Sequence, residues 1–421
     1  MFITIFTDSE GNIQERPGLM FLGRSGEGWC EPEEEDMTIM PDGATLVMVP
    51  DHYPVGVTRQ GNIELLEKNR RGERAVALAA LLPQGFTRTL LPAAAAPEGT
   101  SEIPLLGYTA VAMQNNKMFV AAVQTDEHRK WHPGQYNTIQ LPDFIRAKCD
   151  KYPKNRILKQ LSHCSQHYSC FTAQNIFYER WEGGIPTTPS CNAKCMGCIS
   201  RSHTSVQSPQ NRLDFIPEVD EIVQVGLEHL EKAPEGIVSF GQGCEGEPAL
   251  SADRIAAAIR TMRRKTGQGS ININTNAGFT EGIKKVVDAG LDSMRVTMLS
   301  AKQKDYEKYH QPKGYKFSDV EDSIKYAVEK GVYVSLNLLT IPGYTDSEQQ
   351  VDLTLKLAKR TGLQMIQFRN LNIDPNMFFS KIKINSDSLG IVNMIDVLEE
   401  NELCIGSYTR PVKRGEKLNE G

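Results

Sequence analysis

Three cysteines stand close together in PSCNAKCMGCIS (Pro189–Ser200), as Cys191, Cys195 and Cys198 in a C-x3-C-x2-C spacing. Thiolates are soft anionic ligands, and three on one short loop can converge on an iron–sulfur cluster. A four-iron cubane held by three protein thiolates keeps one iron open to an outside ligand. A structural zinc site asks for four closed ligands; no fourth cysteine follows Cys198 closely, although His203 could complete such a set. Cys164 and Cys170, in SHCSQHYSCF with His163 and His167 beside them, could ligate a second cluster or metal if Cys244 joined them. They could equally be buried, redox-silent thiols. Cys244 lies in a Gly-rich turn, where it could donate a hydrogen atom, carry a substrate covalently, or simply fill tight space. Nine cysteines without a secretion signal argue against a disulfide framework and for thiol or metal chemistry.

A loop of this kind has to be held, and from Gly183 onward the chain alternates between strand-like and helix-like periodicity. Apolar β-type runs fall at Gly236–Phe240, Ile271–Asn274, Met294–Leu299, Val332–Leu339 and Met365–Leu371, with another strand near Pro186. Between them lie helical patterns. One starts near Pro217 with Val219, Ile222, Val223, Leu227 and Leu230 on one face; others are capped by Ser251 and Thr280, or run over about 318–330 and 347–360. Repeated βα units imply a parallel sheet with helices outside, joined by right-handed crossovers. About six units predict an α/β fold of partial (β/α)6, TIM-like barrel type, with function gathered at the C-terminal strand ends.

Those ends are polar. The second carries SFGQGCEGEPAL, in which Gly246, Glu247 and Pro248 offer close backbone approach and a carboxylate suited to an amine, or an ordinary strand-to-helix turn. The third ends in INTNAGF, where Asn274 and Asn276 can both donate and accept hydrogen bonds; Asn276 could instead be a turn residue. The fourth offers Arg295, Thr297 and Ser300, with Ser300 nearer the end. The fifth puts Asn337 inside and turns at Pro342–Gly343. The sixth alternates Gln367, Arg369 and Leu371 on one face with Phe368, Asn370 and Asn372 on the other. A polar-rich strand in an apolar sheet needs partners, either a substrate or an internal hydrogen-bond network.

The cysteine spacing, placed just after the first of these strands, resembles the signature of the radical S-adenosylmethionine (radical SAM) enzymes, and the resemblance extends over about Gly183 to Pro375. It implies a [4Fe–4S] cluster on Cys191, Cys195 and Cys198, with SAM on the open iron. Reductive cleavage of SAM would give a 5′-deoxyadenosyl radical that abstracts hydrogen from a substrate. By the same resemblance, Gly246, Glu247 and Pro248 match a GGEP-like motif that binds the SAM amino group, with Glu245 in place of its first glycine. Asn274, Asn276 and Ser300 fall where the family holds SAM by polar contacts. Asn337 and the Ile341–Gly343 segment fall on the fifth strand, whose backbone flanks adenine. The family's aromatic residue before the third cysteine is Gly197 here, which removes a contact and leaves room for another side chain or a second cofactor. Cys244 is the candidate catalytic side chain. The expected enzyme is an oxygen-sensitive oxidoreductase or transferase. Its electron donor would be a flavodoxin or ferredoxin, and its substrate an unidentified small molecule, peptide or nucleic acid. The alternative from a different class is a non-enzymatic zinc-binding or interaction protein using the same triplet.

The rest of the chain sets the frame. Residues 1–128 show short β-like runs, such as ATLVMVP (Ala44–Pro50) and a hairpin turning at Asn115–Asn116, and read as a β-rich accessory domain. Within it, LPAAAAPEGTSEIP reads as a surface loop. Residues 129–182 form a basic connector, either a contact face for an anionic substrate or a solvated helical face. Residues 183–378 are the barrel, and 379–421 a C-terminal extension. With 47 basic and 52 acidic residues the net charge is −5, which excludes a protein that coats nucleic acid by bulk charge. No apolar run approaches the roughly 18 residues of a membrane span, and the N-terminus lacks a basic signal region, so no membrane partner and a cytoplasmic setting are expected.

Overall fold

The aliphatic runs of the second half form the strands of a parallel sheet, seen in a computed structural model that describes residues 1–127, 129–202 and 206–412. Its strands are β1 (Glu182–Gly184), β2 (Ile237–Phe240), β3 (Ser270–Thr275), β4 (Ser293–Met298), β5 (Tyr333–Thr340), β6 (Met365–Asn370) and β7 (Cys404–Gly406). Each strand pairs in parallel with the next in sequence, so the sheet curls one way as an open half-barrel. Sequence reading expects six strands; the three-residue β7 adds a seventh from the C-terminal extension, pairing Met365 with Cys404. It is too short to show a period of its own.

The two faces of this sheet differ because side chains alternate along a strand. Val238, Phe240, Ile271, Ile273, Met294, Val296, Val334, Leu336, Leu338, Ile366 and Phe368 join one large core cluster with the helices. The other face carries Ser239, Asn272, Asn274, Ser293, Arg295, Thr297, Ser335, Asn337, Gln367 and Arg369. A polar lumen inside an apolar jacket is the opposite of a side-chain-filled barrel core.

Three helices precede the sheet: α1 (Leu141–Lys151), α2 (Arg156–His167) and α3 (Phe171–Tyr178). The crossovers are α4 (Val219–Lys232), α5 (Ala252–Lys265), α6 (Thr280–Asp288), α7 (Gln303–His310), α8 (Phe317–Glu329) and α9 (Glu348–Thr361), followed by α10 (Pro375–Lys381) and α11 (Ile391–Glu400). Helix α4 opens with a reciprocal capping box between Glu218 and Glu221, and α9 ends on left-handed Gly362 at φ +75°. Of the connector's basic residues, Arg129, Arg146, Lys151, Lys154 and Lys159 are exposed, as a solvated face requires, whereas Lys148 is consumed internally. Buried Lys148 donates to the Ile176 carbonyl at 2.9 Å and pairs with Glu179 at 3.0 Å, while Lys151 and Lys232 hold Glu228. Of the two readings of this segment, neither a substrate face nor a solvated face describes Lys148.

The N-terminal residues form an antiparallel sheet with strands at Phe86–Arg88, Lys117–Gln124, Val111–Gln114, Ile3–Thr7, Ile13–Phe21, Tyr53–Thr58 and Ala94–Ala95, in that spatial order. Asn115 and Asn116 both take positive φ, as the predicted hairpin requires. The stretch LPAAAAPEGTSEIP divides: residues 96–102 form a largely exposed loop as expected, but Leu91 and Ala94 are buried and pair with Arg24 and Pro54. Small side chains there allow the backbone to join the sheet.

This β-rich unit sits on the C-terminal ends of β5, β6 and β7. Arg88 is the bolt. Its buried guanidinium donates to the carbonyls of Tyr108 (3.2 Å), Thr340 (3.0 Å) and Leu371 (2.9 Å), and its own N–H reaches Asn370 Oδ1 at 2.9 Å. Gly26 N donates to Pro342 O at 3.0 Å, Arg24 to Asn376 Oδ1 at 2.6 Å, and Thr125 exchanges a hydrogen bond with Ser407 at 2.7 Å.

Candidate functional site

The cysteine loop follows β1 and is fixed from three sides. From the second strand end, the amides of Gly246 and Glu247 donate to the carbonyls of Thr188 (2.7 Å) and Ser190 (2.8 Å). A side chain at position 246 would overlap the Ser190 carbonyl, so only glycine lets the two loops close. From the third strand end, Asn276 Nδ2 donates to Asn192 Oδ1 at 2.7 Å, while its Oδ1 takes Gly278 N at 2.8 Å. Asn276 thus serves as a turn residue, one of its two sequence readings, and ties the third strand end to the cysteine loop. From α7, the carbonyls of His310 and Tyr309 accept the amides of Lys194 (2.9 Å) and Met196 (3.1 Å), so the unpaired end of that helix is satisfied by the cysteine loop.

All three thiols are free and half-buried. Burial pushes Cys191 up, and it pushes Cys195 well up with the other two sulfurs adding to the effect. The three therefore lie near enough to act on one another. Yet among the described residues no three His, Cys, Asp or Glu side chains are arranged to hold a single metal ion. Ligands of one ion converge on a point, whereas ligands of a cubane stand on separate irons and must stand apart. Three thiolates on one loop are a donor set that would fit a cluster with three soft ligands. His203, the fourth ligand of the zinc reading, lies outside the described residues.

Two side chains serve the sulfurs directly. His310 is buried; its Nε2 accepts from Leu299 N at 3.2 Å, which leaves the ring proton on Nδ1, 3.3 Å from Cys195 Sγ. Burial lowers its pKa to about 3, so the ring is neutral and gives the sulfur one N–H donor. Arg212 Nη2 stands 3.5 Å from Cys198 Sγ, anchored by Pro189 O (3.1 Å) and Ser200 Oγ (3.2 Å). The space opened by Gly197 is taken by Tyr309. A Cβ at position 197 would stand 2.8 Å from the tyrosine hydroxyl and 3.0 Å from Asn372 O.

Glu245 and Glu247 are spent differently. Glu247 is buried and accepts from Ala249 N (3.0 Å), Asn276 N (2.8 Å) and Thr275 Oγ1 (2.5 Å), which bolts the second strand end to the third. Glu245 accepts from Thr187 N (2.7 Å), Thr187 Oγ1 (2.8 Å), Thr188 N (3.3 Å), Gly241 N (2.5 Å) and Gln242 N (3.1 Å). It ties the start of the cysteine loop to the second strand end, a task a glycine could not perform. Pro248 starts the short helical turn that Glu247 caps.

The other sequence candidates are placed as follows. Asn274 accepts from Asn272 and donates to Phe240 O, both at 3.0 Å, within a lumen network that runs through Ser239 to Glu182. Asn337 donates to Thr297 Oγ1 at 3.1 Å in the same lumen. Ser300 is buried and engaged by Gln350 (2.6 Å) and Lys302 N (2.9 Å), behind the fourth strand end. Ile341 is fully buried beside Met196 and Tyr309, and Gly343, at φ +84°, packs against Gly26 of the N-terminal unit. Cys244 is buried in the helix-side core and hydrogen-bonded to Cys164, with Cys170 close enough to add to its raised pKa. The expected trio of Cys164, Cys170 and Cys244 does come together, but as core thiols.

With this geometry in view, the family model of the Radical SAM superfamily matches residues 185–355. Those residues form a radical SAM domain. The matched span includes the cysteine loop, the Gly246–Pro248 motif and the third to fifth strand ends. No curated protein matches the chain. Among solved structures, native anSMEcpe with bound AdoMet is similar at 16% identity and TM-score 0.38, over 53% of this chain and 62% of that one. Methylornithine synthase PylB is similar at 14% and 0.37, over 64% and 76%. The radical SAM methyltransferase TsrM from Kitasatospora setae, with cobalamin and a [4Fe–4S] cluster bound, is similar at 15% and 0.33, over 46% and 37%. The chain thus spans less than two thirds of anSMEcpe's length. No helix among the described residues is long and apolar enough to cross a membrane.

Proposed function

We propose that the protein is a radical SAM enzyme whose [4Fe–4S] cluster is held by Cys191, Cys195 and Cys198. When bound, the cluster and SAM supply reductive cleavage to a 5′-deoxyadenosyl radical, which abstracts hydrogen from a substrate. The observation that carries this reading is the cysteine loop, clamped at the C-terminal mouth of a parallel half-barrel by the backbone of Gly246–Glu247. The chain's own residues do the positioning. Asn276 and α7 orient the loop, His310 and Arg212 place an N–H beside two of the sulfurs, and Glu247 holds the second and third strand ends together. Gly246, Glu247, Pro248, Asn274, Asn276 and Asn337, at the strand ends beside that loop and in the lumen, are the groups proposed to meet SAM. Ser300, Ile341 and Gly343 act on it through packing.

The β-rich unit covers the C-terminal ends of β5 to β7 and would exclude water from the mouth. An electron donor of flavodoxin or ferredoxin type and a setting low in oxygen follow from the same reading. The test is anaerobic reconstitution, addition of SAM and dithionite, and mass spectrometry for 5′-deoxyadenosine. Product above a Cys191→Ala/Cys195→Ala/Cys198→Ala control is expected. Equal product in that control, or zinc bound in place of iron and sulfide, would overturn the reading.

A further inference from the structure

The lumen holds more positive charge than its own residues use. Arg295 projects from β4 at the level of Asn274 and Ser335, and Arg369 projects from β6 at the level of Leu339. Among the described residues, the Arg295 side chain makes a single, long hydrogen bond, 3.4 Å to Gln367 Oε1, and its buried Nε has no partner. Arg369 makes no hydrogen bond or ion pair among the described residues, and it is exposed. Desolvation by the surrounding protein, with repulsion from Arg295, pulls its pKa down to about 10 against the attraction of Glu182. Glu182 is the acid that both arginines feel, and its Oε1 is already taken by Ser239 Oγ at 2.6 Å. A half-buried guanidinium such as that of Arg295, with so little compensation, is costly unless a ligand completes it, and Arg369 beside it offers its donors to the same ligand.

The space beside Arg369 is built for one. A cavity of about 230 Å³ lies between β6 and the N-terminal segments 81–86 and 106–107. Among the described residues, Arg369 is the one charged residue lining it, beside Gln84, Phe86, Asn370, Asn372 and Ser407. Its other wall leads to the cysteine loop, because Asn372 O is the atom that a Cβ on Gly197 would meet at 3.0 Å. A planar, permanently charged fork with free donors fits a carboxylate or phosphate in bidentate fashion, and a pocket of this size takes a metabolite-sized group.

We infer that the cavity between the sixth strand and the N-terminal unit is the substrate's anion site, in which Arg369, backed by Arg295, receives the carboxylate or phosphate of a small-molecule substrate. The inference rests on the proposed radical SAM function for its meaning, but binding of the anion does not depend on it. The test uses the full chain, with and without a reconstituted cluster, and two probes at constant ionic strength: succinate and inorganic phosphate, against chloride. Calorimetry should show one of the two binding to wild type and identify the class. Arg369→Gln should weaken that probe at least tenfold, with Arg369→Lys between them. Because Arg369 contributes no bonds to the fold, Arg369→Gln should melt no lower than wild type, which separates lost binding from lost folding.

Three results would overturn the inference: neither probe binds, Arg369→Gln binds as well as wild type, or saturating SAM displaces the probe, which would give the arginines to the SAM carboxylate. Wild type that binds the probe but neither binds nor cleaves SAM would sink the proposed function while leaving the anion site standing.

Discussion

The N–H that His310 gives to Cys195 has a measurable consequence. Consider His310→Phe, which keeps a ring between Tyr306 and Tyr309 but removes both nitrogens. Two effects follow. Leu299 N, which now donates to Nε2 at 3.2 Å, becomes a buried donor without a partner, at a cost of about 1–3 kcal/mol of stability. The sulfur 3.3 Å from Nδ1 loses its donor. A hydrogen bond to a cluster thiolate strengthens as the cluster gains an electron, so its loss disfavours reduction. A net bond of about 1 kcal/mol, realised in the reduced state, corresponds to roughly 40 mV, since a tenfold change in a one-electron equilibrium is about 59 mV.

The midpoint potential of the reconstituted variant should therefore fall by roughly 40 mV, read by an EPR-monitored redox titration at matched iron and sulfide content. The difference should also stay flat between about pH 6 and 8, because burial lowers the ring's pKa to about 3 and leaves no proton to titrate there. A midpoint within about 10 mV of wild type, with the cluster intact, would refute the donor role. A difference that grows on acidification would refute the neutral tautomer.

Other outcomes follow from buried groups elsewhere. Burial lowers His229 to about 4, so between pH 6.5 and 4 the folded chain binds fewer protons than the unfolded one and stability rises with pH; acidification should remove about 3 kcal/mol. Urea unfolding across that range should show the stability of wild type relative to His229→Phe falling by that amount on acidification, the raised carboxyls Glu245 and Asp346 acting alike in both. Arg88→Ala, which takes a guanidinium from three carbonyls and leaves a void, should cost about 3–5 kcal/mol, and Arg88→Met less because it refills the volume; an Ala variant within about 1 kcal/mol of wild type would mean the bolt holds nothing. Gly197→Ala should cost about 1–3 kcal/mol by overpacking against the Tyr309 hydroxyl, and Gly197→Ala/Tyr309→Phe should recover most of it in a double-mutant cycle. Independent, additive effects would show that Tyr309 does not fill that space.

What could be read from the sequence follows the physics of each element. Strands β2 to β6 carry runs of aliphatic residues buried on the helix side, and those runs are visible in one dimension. Strand β1, whose residues are Glu182, Gly183 and Gly184, and the three-residue β7 have no such run; they exist because a neighbouring strand offers its edge. Helix α7 is absent from the sequence reading for a related reason. QKDYEKYH has no aliphatic stripe, and only the spacing of Tyr306, Tyr309 and His310 marks a buried face. That helix brings the ring donor and the tyrosine to the cysteine loop, so missing it meant missing both. The triplet and Gly246–Pro248 were legible because their chemistry is local to a few residues. Arg212, Asn192 and His310 were not, because what they do depends on partners brought from other strands and helices.

The same distinction explains the sixth strand. Its sequence left two readings open, a substrate contact and an internal network, and the lumen divides them residue by residue. Gln367 belongs to the network, donating to Ser335 Oγ at 3.0 Å. Asn370 belongs to neither, since it holds Phe86 O and Arg88 N of the N-terminal unit. Among the described residues the side chains of Arg369 and Asn372 are left over beside one cavity, and Arg369 carries the charge. Arg295, half-buried with one long hydrogen bond among the described residues, and Arg369 beside it keep donors that those residues do not use, and such donors suit an anion from outside the chain.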